Sequence, residues 1–253
     1  MEKCFESLLY EHLLIWIDDL LLYADDIDTY LEKLKEFFGL LNEYGLKLYA
    51  KKCRLYQTEV KWCGKLLNAS GIRHDPDRIN TLRAIPYPST AAELQQFVCA
   101  VNWMRESLID FSRQMLPLQQ HLDAALTNTR RTKRAAAGIQ IQLDAADKAA
   151  FDKVKDMLAN AATLDFPDDG ATTCLFSDAS DSGWAVFVSQ VANYNLKVAV
   201  TEQQHRLIHC MSGTFSGSQL NWTVLEKEAF PIAIACDKLD YLLLRPQLFQ
   251  VVL

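Results

Sequence analysis

The sequence contains few of the residues, and none of the long segments, that are typical of non-globular proteins. Nine glycines and seven prolines occur among 253 residues, too few for a collagen-like or low-complexity chain. It has no long uncharged apolar segment either, because Asp18 and Asp19 interrupt the apolar run 13–23. Neither a signal peptide nor a membrane-spanning helix fits that pattern. We therefore expect an intracellular protein, cytoplasmic or nuclear and not secreted, with no membrane as a partner.

The sequence also lacks paired cysteines and an excess of positive charge. Its seven cysteines include no C-x-x-C pair, which argues against a zinc site and against a disulfide framework. A formal charge of −6 gives no global attraction to phosphate, so contact with a nucleic acid would depend on local basic clusters. Half of the residues are hydrophobic, enough for one large or two modest cores. Helix-type and strand-type patterns alternate along the chain, which favours mixed α and β structure.

Two adjacent acids stand between short apolar runs near the start of the chain. The runs 13–17 and 20–23 predict a β-hairpin with Asp18 and Asp19 at its tip. Neighbouring carboxylates repel each other, and a divalent cation such as Mg²⁺ with its oxygen ligands compensates that repulsion. Without further context a solvated turn is the commoner explanation of such a pair.

Cap signals mark the starts of several predicted helices. Apolar residues recur at helical spacing after Asp28 and stop before Gly45, which predicts an amphipathic helix. The start signals of later helices are Asp75 followed by Pro76, Thr90 with Glu93, Asp144, and Thr223 with Glu226. In a Thr-x-x-Glu pair each side chain bonds the backbone N–H of the other residue, so Glu226 is assigned to capping.

A second acidic pair lies in the last third of the chain. The segments 172–178 and 184–190 predict paired strands around a turn at 181–183, with Asp178 at the end of the first strand. Glu228 follows on the helix that Thr223 starts. Alone, Glu228 is equally explained as an exposed helix glutamate.

The motifs occur in a recognisable order. They are W-I-D-D at 16–19, G-L-K-L at 45–48 leading to K-C at 52–53, V-K-W-C-G at 60–64, F-S-D-A-S-D-S-G at 176–183 and E-K-E-A at 226–229. In this order they resemble the Ty3/gypsy-type retrotransposon reverse transcriptases with a fused ribonuclease H. W-I-D-D is similar to the Y-x-D-D polymerase tip of that family, and the last two motifs are similar to the first strand and first helix of its ribonuclease H.

The resemblance implies an α+β fold class, in which a partial reverse transcriptase palm and a helical thumb precede a truncated ribonuclease H-like domain. It implies a palm over 1–69, a thumb-like helical region over 70–128, a basic linker over 129–142, and a lead-in helix with the ribonuclease H-like domain over 143–253. The ancestral function would be RNA-directed DNA synthesis with cleavage of RNA–DNA hybrids.

The same resemblance implies catalytic and metal-ligating roles for Asp18, Asp19, Asp178 and Glu228. The family's polymerase site needs a further aspartate upstream of the hairpin, and its nuclease site needs a third carboxylate on the strand after the Glu228 helix. This chain offers neither, so we expect both sites to be incomplete and to bind Mg²⁺, or Mn²⁺, weakly. The chain would then be catalytically incomplete alone.

Basic side chains suggest where a nucleic acid could bind. The candidates are Lys52, Arg130, Arg131, Lys133 and Arg134. The implied partners are an RNA–DNA hybrid or a primer-template, and a partner chain could complete the palm or the sheet edge. Solvated charge is the plainer explanation of such clusters. An alternative function is a non-catalytic nucleic-acid-binding or protein-interaction module recruited from a retroelement.

Overall fold

The computed structural model describes residues 2–127, 129, 132–244 and 249–252. The chain divides into two compact units, Met1–Gly64 and Lys65–Leu253. No helix in the described part of the chain is both long enough and apolar enough to cross a membrane.

The first unit contains a hairpin, a long helix and one further strand. Strand β1 (Leu13–Trp16) pairs with β2 (Asp19–Leu22) in antiparallel register, and α1 (Ile27–Glu43) and β3 (Glu59–Trp62) follow. The core joins side chains of the N-terminal segment, β1 and α1: Phe5, Leu8, Leu13, Phe37 and Leu41. The predicted hairpin is present, and its strands are held against α1 through this shared core.

Helix α1 begins and ends where its capping residues dictate. The Asp26 side chain accepts a hydrogen bond from the Thr29 N–H at 2.9 Å, so the helix starts slightly before the predicted position. At its other end Gly45 has a φ of +64°, a conformation that glycine adopts without a steric penalty. The predicted stop at Gly45 is therefore confirmed.

The first part of the second unit is mainly helical. Strands β4 (Lys65–Asn68) and β5 (Gly71–His74) form an antiparallel pair. The helices that follow are α2 (Pro76–Arg83), α3 (Ala91–Asn102), α4 (Phe111–Ala125), α5 (Lys133–Ala137) and α6 (Ala145–Ala159). The predicted caps at Asp75, Thr90 and Asp144 are all present. A single apolar cluster, with Phe97 and Phe151 fully buried in it, packs these helices together.

The segment 129–142, interpreted as a linker, contains packed structure. It includes α5, and Ala136 of that helix is fully buried. The N–H of Ala91 donates to the carbonyl of Ile139 at 3.0 Å, which ties this segment to the start of α3. The linker interpretation is corrected here, because a five-residue helix is too short to leave a periodic apolar pattern.

The second part of this unit is a sheet with helices packed on it. Strands β6 (Thr172–Ala179), β7 (Gly183–Val191), β8 (Arg206–Thr214) and β9 (Gln250–Val252) are arranged in the order β8-β7-β6-β9. Only the β6–β9 pair of this sheet is parallel. Helices α7 (Val224–Lys238) and α8 (Asp240–Leu243) lie between β8 and β9 in the chain, and Ala235 and Leu239 pack against Leu175 and Trp184 of the sheet.

Candidate functional site

The hairpin tip carries Asp18 and Asp19 as predicted. Trp16 pairs with Asp19, so Ile17 and Asp18 form a two-residue turn between the strands. Ile17 is 79% exposed and has a φ of +56°, a strained conformation for a β-branched residue. Strain of this kind costs on the order of 1–3 kcal/mol and is concentrated at functional sites in folded proteins.

Both acids at this tip are exposed to solvent. In the part of the chain that the structure describes, no hydrogen bond or ion pair engages either carboxylate. Across those same residues, no group of three or more His, Cys, Asp or Glu side chains is placed to hold a metal ion. The tip therefore presents two solvated carboxylates, which fits a weak cation site and a plain acidic turn equally well.

Asp178 lies near the end of β6 and is engaged by a cation. The Arg113 Nη2 atom lies 2.8 Å from Asp178 Oδ2, and the Nε–H of the same guanidinium donates to Asp110. Arg113 belongs to the first turn of α4. The predicted metal-ligating acid is thus paired with an arginine that belongs to a helix outside the sheet.

Glu228 lies beside the turn that follows Asp178. It lines a cleft of about 300 Å³ together with Ala179, Ser180, Asp181, Val224 and Lys227. The Lys227 Nζ lies 3.3 Å from Asp181 Oδ1, and the Lys227 side chain is only 8% exposed. The cleft therefore holds a sheltered positive charge next to Glu228.

The capping role assigned to Glu226 is confirmed. Its Oε2 accepts hydrogen bonds from the Thr223 N–H and hydroxyl, each at 2.8 Å, while the Glu226 N–H donates to the Thr223 hydroxyl at 3.3 Å. These bonds lower the pKa of the Glu226 carboxyl, the backbone bond from Thr223 contributing most. Glu226 is therefore occupied at the helix start, and Glu228 is the acid of α7 that faces the cleft.

The acids of this region do not fit a pair of divalent ions as they stand. Each ion of such a pair needs several oxygen ligands. Asp178 is paired with Arg113, and the ammonium group of Lys227 stands in the cleft that Glu228 lines. Two acids of this region, Asp178 and Asp181, are therefore paired with cations of the protein itself.

The basic candidates fall in separate places. Lys52 is exposed in a short 3-10 helix, Ala50–Lys52, of the first unit. Lys133 and Arg134 are exposed on α5 of the second unit, whereas Arg130 and Arg131 lie outside the described residues.

Sequence reasoning missed Arg113 and Lys227. Arg113 is 65 residues from Asp178 in the chain, so no local spacing connects them. Lys227 stands between Glu226 and Glu228 and would be exposed on an isolated helix. The burial of this charged side chain is seen only once α7 is packed on the sheet.

The sheet and its acidic residues define a class of protein. A strand-end aspartate on β6, a glutamate on the helix that connects β8 to β9, and the order β8-β7-β6-β9 are the arrangement of a ribonuclease H-like fold. Residues 143–251 match the model for the RNase H-like domain found in reverse transcriptase. That segment is similar to this domain family.

Known proteins with similar sequences cover nearly the whole chain. The retrovirus-related Pol polyprotein from transposon opus of Drosophila melanogaster is 23% identical over 242 residues, which are 94% of this chain and 23% of that protein. The corresponding protein from transposon gypsy of the same species is 21% identical over 244 residues, 94% of this chain and 22% of the relative. This chain thus spans less than a quarter of each relative, and the predicted resemblance to gypsy-type elements is confirmed.

A solved structure shows the same fold. The foamy viral protease-reverse transcriptase, in complex with an RNA/DNA hybrid, is 20% identical and superposes with a TM-score of 0.77, covering 99% of this chain and 31% of that one. The mixed α/β class is confirmed by this likeness. RNase H-like domains generally use divalent metal ions, whereas in this structure Asp178 is paired with Arg113.

Proposed function

We propose that this chain is a nucleic-acid-binding part of a reverse transcriptase and ribonuclease H, with little metal-dependent catalysis of its own. The ion pair between Arg113 and Asp178 carries this proposal, because it engages the carboxylate that a metal ion would need in a ribonuclease H-like domain. The ancestral reactions are RNA-directed DNA synthesis and hybrid cleavage.

The finer division of the chain is part of the proposal. Residues 1–69 correspond to part of a palm, 70–128 to a thumb-like region and 143–253 to the ribonuclease H-like domain with its lead-in helix. The acidic hairpin tip with the strained Ile17 supports the palm assignment. The helices α2 to α4 support a thumb-like region.

We further propose Asp18, Asp19, Asp178 and Glu228 as the ancestral catalytic and metal-ligating residues. Mg²⁺ is the expected ion and Mn²⁺ a substitute, because both prefer carboxylate oxygen. Binding would be weak, since each acidic pair offers only two carboxylates and Asp178 of the second pair is already paired with Arg113.

An RNA–DNA hybrid or a primer-template is the proposed partner. Three solved structures that are similar to this chain are complexes with an RNA/DNA hybrid or with double-stranded DNA. In this chain the exposed cations Lys52, Lys133 and Arg134 are available to phosphates. Contacts of that kind bind phosphates without reading sequence and weaken as salt increases.

Fluorescence anisotropy with a labelled RNA–DNA hybrid tests the binding. We expect affinity to fall between about 50 and 200 mM salt, and to fall about fivefold or more in a variant with Lys133→Gln and Arg134→Gln. A variant with Lys153→Gln and Lys197→Gln removes the same charge from exposed positions elsewhere and should change affinity less than about twofold. Salt-independent binding, or no binding, would refute the nucleic-acid role.

A cleavage assay tests the catalytic part. The purified chain should show little Mg²⁺-dependent cleavage of a hybrid or primer extension, and Asp178→Asn should leave hybrid binding unchanged. Robust turnover that Asp178→Asn or Asp18→Asn abolishes would show that the sites are functional.

Exposed apolar side chains favour a second candidate function, a protein-interaction module. In the first unit Tyr10 is 71% exposed and Tyr56 is 66% exposed. Large exposed apolar groups are used in contacts with partner proteins. A chain that binds no hybrid at any salt concentration, but whose Tyr10 and Tyr56 become protected from chemical modification when a partner chain is added, would support this function.

A further inference from the structure

We propose that Arg113 is the resident counter-cation of Asp178, so that a divalent ion gains this carboxylate only when Arg113 is displaced. The inference rests on the metal-ligating role proposed above for Asp178 and does not depend on whether the chain binds a hybrid. It assigns to α4 a regulatory contact with the ribonuclease H-like sheet.

The start of α4 is fixed to the sheet by several hydrogen bonds. The Ser112 N–H donates to the Ser212 hydroxyl at 2.9 Å, and the two serine hydroxyls are 3.0 Å apart. Just before this helix, Arg105 Nη2 donates to the Ser212 carbonyl at 2.6 Å. The neighbour of Arg113 in the chain is therefore anchored to β8, which limits how far the guanidinium can move.

The Arg113 side chain also fits closely at the turn beside Asp178. A Cβ atom built on Gly183, the first residue of β7, would lie only 2.9 Å from Arg113 Cγ. Because Gly183 has no side chain, the Arg113 side chain has room to reach Asp178. A second bond, from Nε–H to Asp110 in the same helix turn, holds the guanidinium in its orientation.

Burial makes the ion pair asymmetric. The Arg113 side chain is 24% exposed, whereas that of Asp178 is 69% exposed. The cation is the sheltered and restrained partner, and the carboxylate is the one that solvent reaches. A divalent ion that approaches Asp178 from solvent meets a fixed positive charge, and it must break an N–H···O bond of the charge-assisted kind.

The sign of the effect follows from Coulomb's law. Two positive ions about 5 Å apart repel each other even in a dielectric near that of water, and more strongly in the partly sheltered site of Arg113. Removing the guanidinium both frees the carboxylate and removes that repulsion. We therefore expect at least a tenfold gain in divalent-ion affinity when Arg113 becomes neutral.

Electron paramagnetic resonance with Mn²⁺ tests this on the full chain without any substrate. Arg113→Gln should bind one Mn²⁺ about tenfold or more tightly than the wild type, and adding Asp178→Asn should abolish the gain. Arg113→Lys, which keeps the charge, should bind as the wild type does. Arg206→Gln is a matched control, because Arg206 pairs with Asp168 at 3.2 Å in the same unit.

Two results would overturn the inference. One is an Arg113→Gln variant with wild-type Mn²⁺ affinity, or a gain that persists in the double variant. The other is an Arg113→Lys variant that binds Mn²⁺ as tightly as Arg113→Gln, because the proposal requires the positive charge itself to exclude the ion. Because Asp178 is exposed, Asp178→Asn in the double variant should not disturb folding, and thermal melts of every variant check this. The Mn²⁺ affinities are measured without substrate, so a failure of the chain to bind a hybrid would not change what they show.

Discussion

His74 should make the second unit lose stability in mild acid. It lies at the end of β5 and is only 4% exposed. Burial lowers the pKa of its imidazole to about 4, and the nearby Lys65 acts in the same direction. Arg78 also lowers this pKa, whereas the nearby backbone of Met104 and the charge of Glu106 raise it.

The direction of the pH effect follows from proton uptake. In the unfolded chain His74 takes up a proton near its usual value of 6.5, whereas the folded chain keeps it neutral until about pH 4. The stabilising contribution is therefore complete above pH 6.5 and is lost as the pH falls towards 4. Each pH unit within that window removes about 1.4 kcal/mol, for about 3 kcal/mol in all.

Urea unfolding of the wild type and of His74→Gln at several pH values measures this effect. Glutamine does not titrate, so the variant should lose less stability than the wild type between about pH 7 and pH 4.5, by about 2–3 kcal/mol. Any packing cost of the substitution is independent of pH and cancels from this comparison. His12→Gln, in the first unit, is the control. Parallel pH profiles for the wild type and His74→Gln would refute the reasoning.

Further predictions concern backbone and capping positions. Gly71 has a φ of +123°, and a Cβ there would lie 2.2 Å from the Leu164 carbonyl oxygen, so Gly71→Ala should lower the stability of the second unit by about 3 kcal/mol or more in thermal melts. Gly39 lies inside α1 with nothing within 4 Å of its added Cβ, so Gly39→Ala should stabilise the first unit by about 0.5–1 kcal/mol, and a loss would contradict the helix-propensity argument. Thr90→Ala removes a capping box and should cost about 1 kcal/mol by urea unfolding, whereas an unchanged midpoint would show that Ser89 and Glu93 suffice.

Local signals predicted the helices better than the irregular segments. The caps at Asp75, Thr90, Asp144 and Thr223 marked helix starts correctly, because each cap depends on bonds within one turn. The apolar residues at 46–48, 55–56 and 198–201 suggest short strands, and the structure forms no strand there. Strands depend on partners distant in the chain, and no local pattern supplies those partners.

The apolar stretch 60–67 suggests a single strand, and the structure shows two strands there for a local reason. The chain forms β3 and β4 there, separated by Cys63 and Gly64 with φ values of +48° and +76°. A glycine at a turn favours such a conformation, but the cysteine before it gives no comparable signal. The apolar residues on either side of the turn therefore look like one continuous strand in the sequence.

The two acidic motifs look alike in the sequence and differ in the folded chain. Asp18 and Asp19 are adjacent, exposed and flanked by apolar strands, so their charge is left to solvent. Asp178 has the same local appearance, with an apolar strand before it and a turn after it, yet its charge is balanced by Arg113 from a distant helix. An acid's capacity to hold a metal ion depends on which cations the fold brings to it. A sequence motif therefore indicates the family to which a site belongs. The side chains that tertiary packing brings next to the motif determine what the site binds.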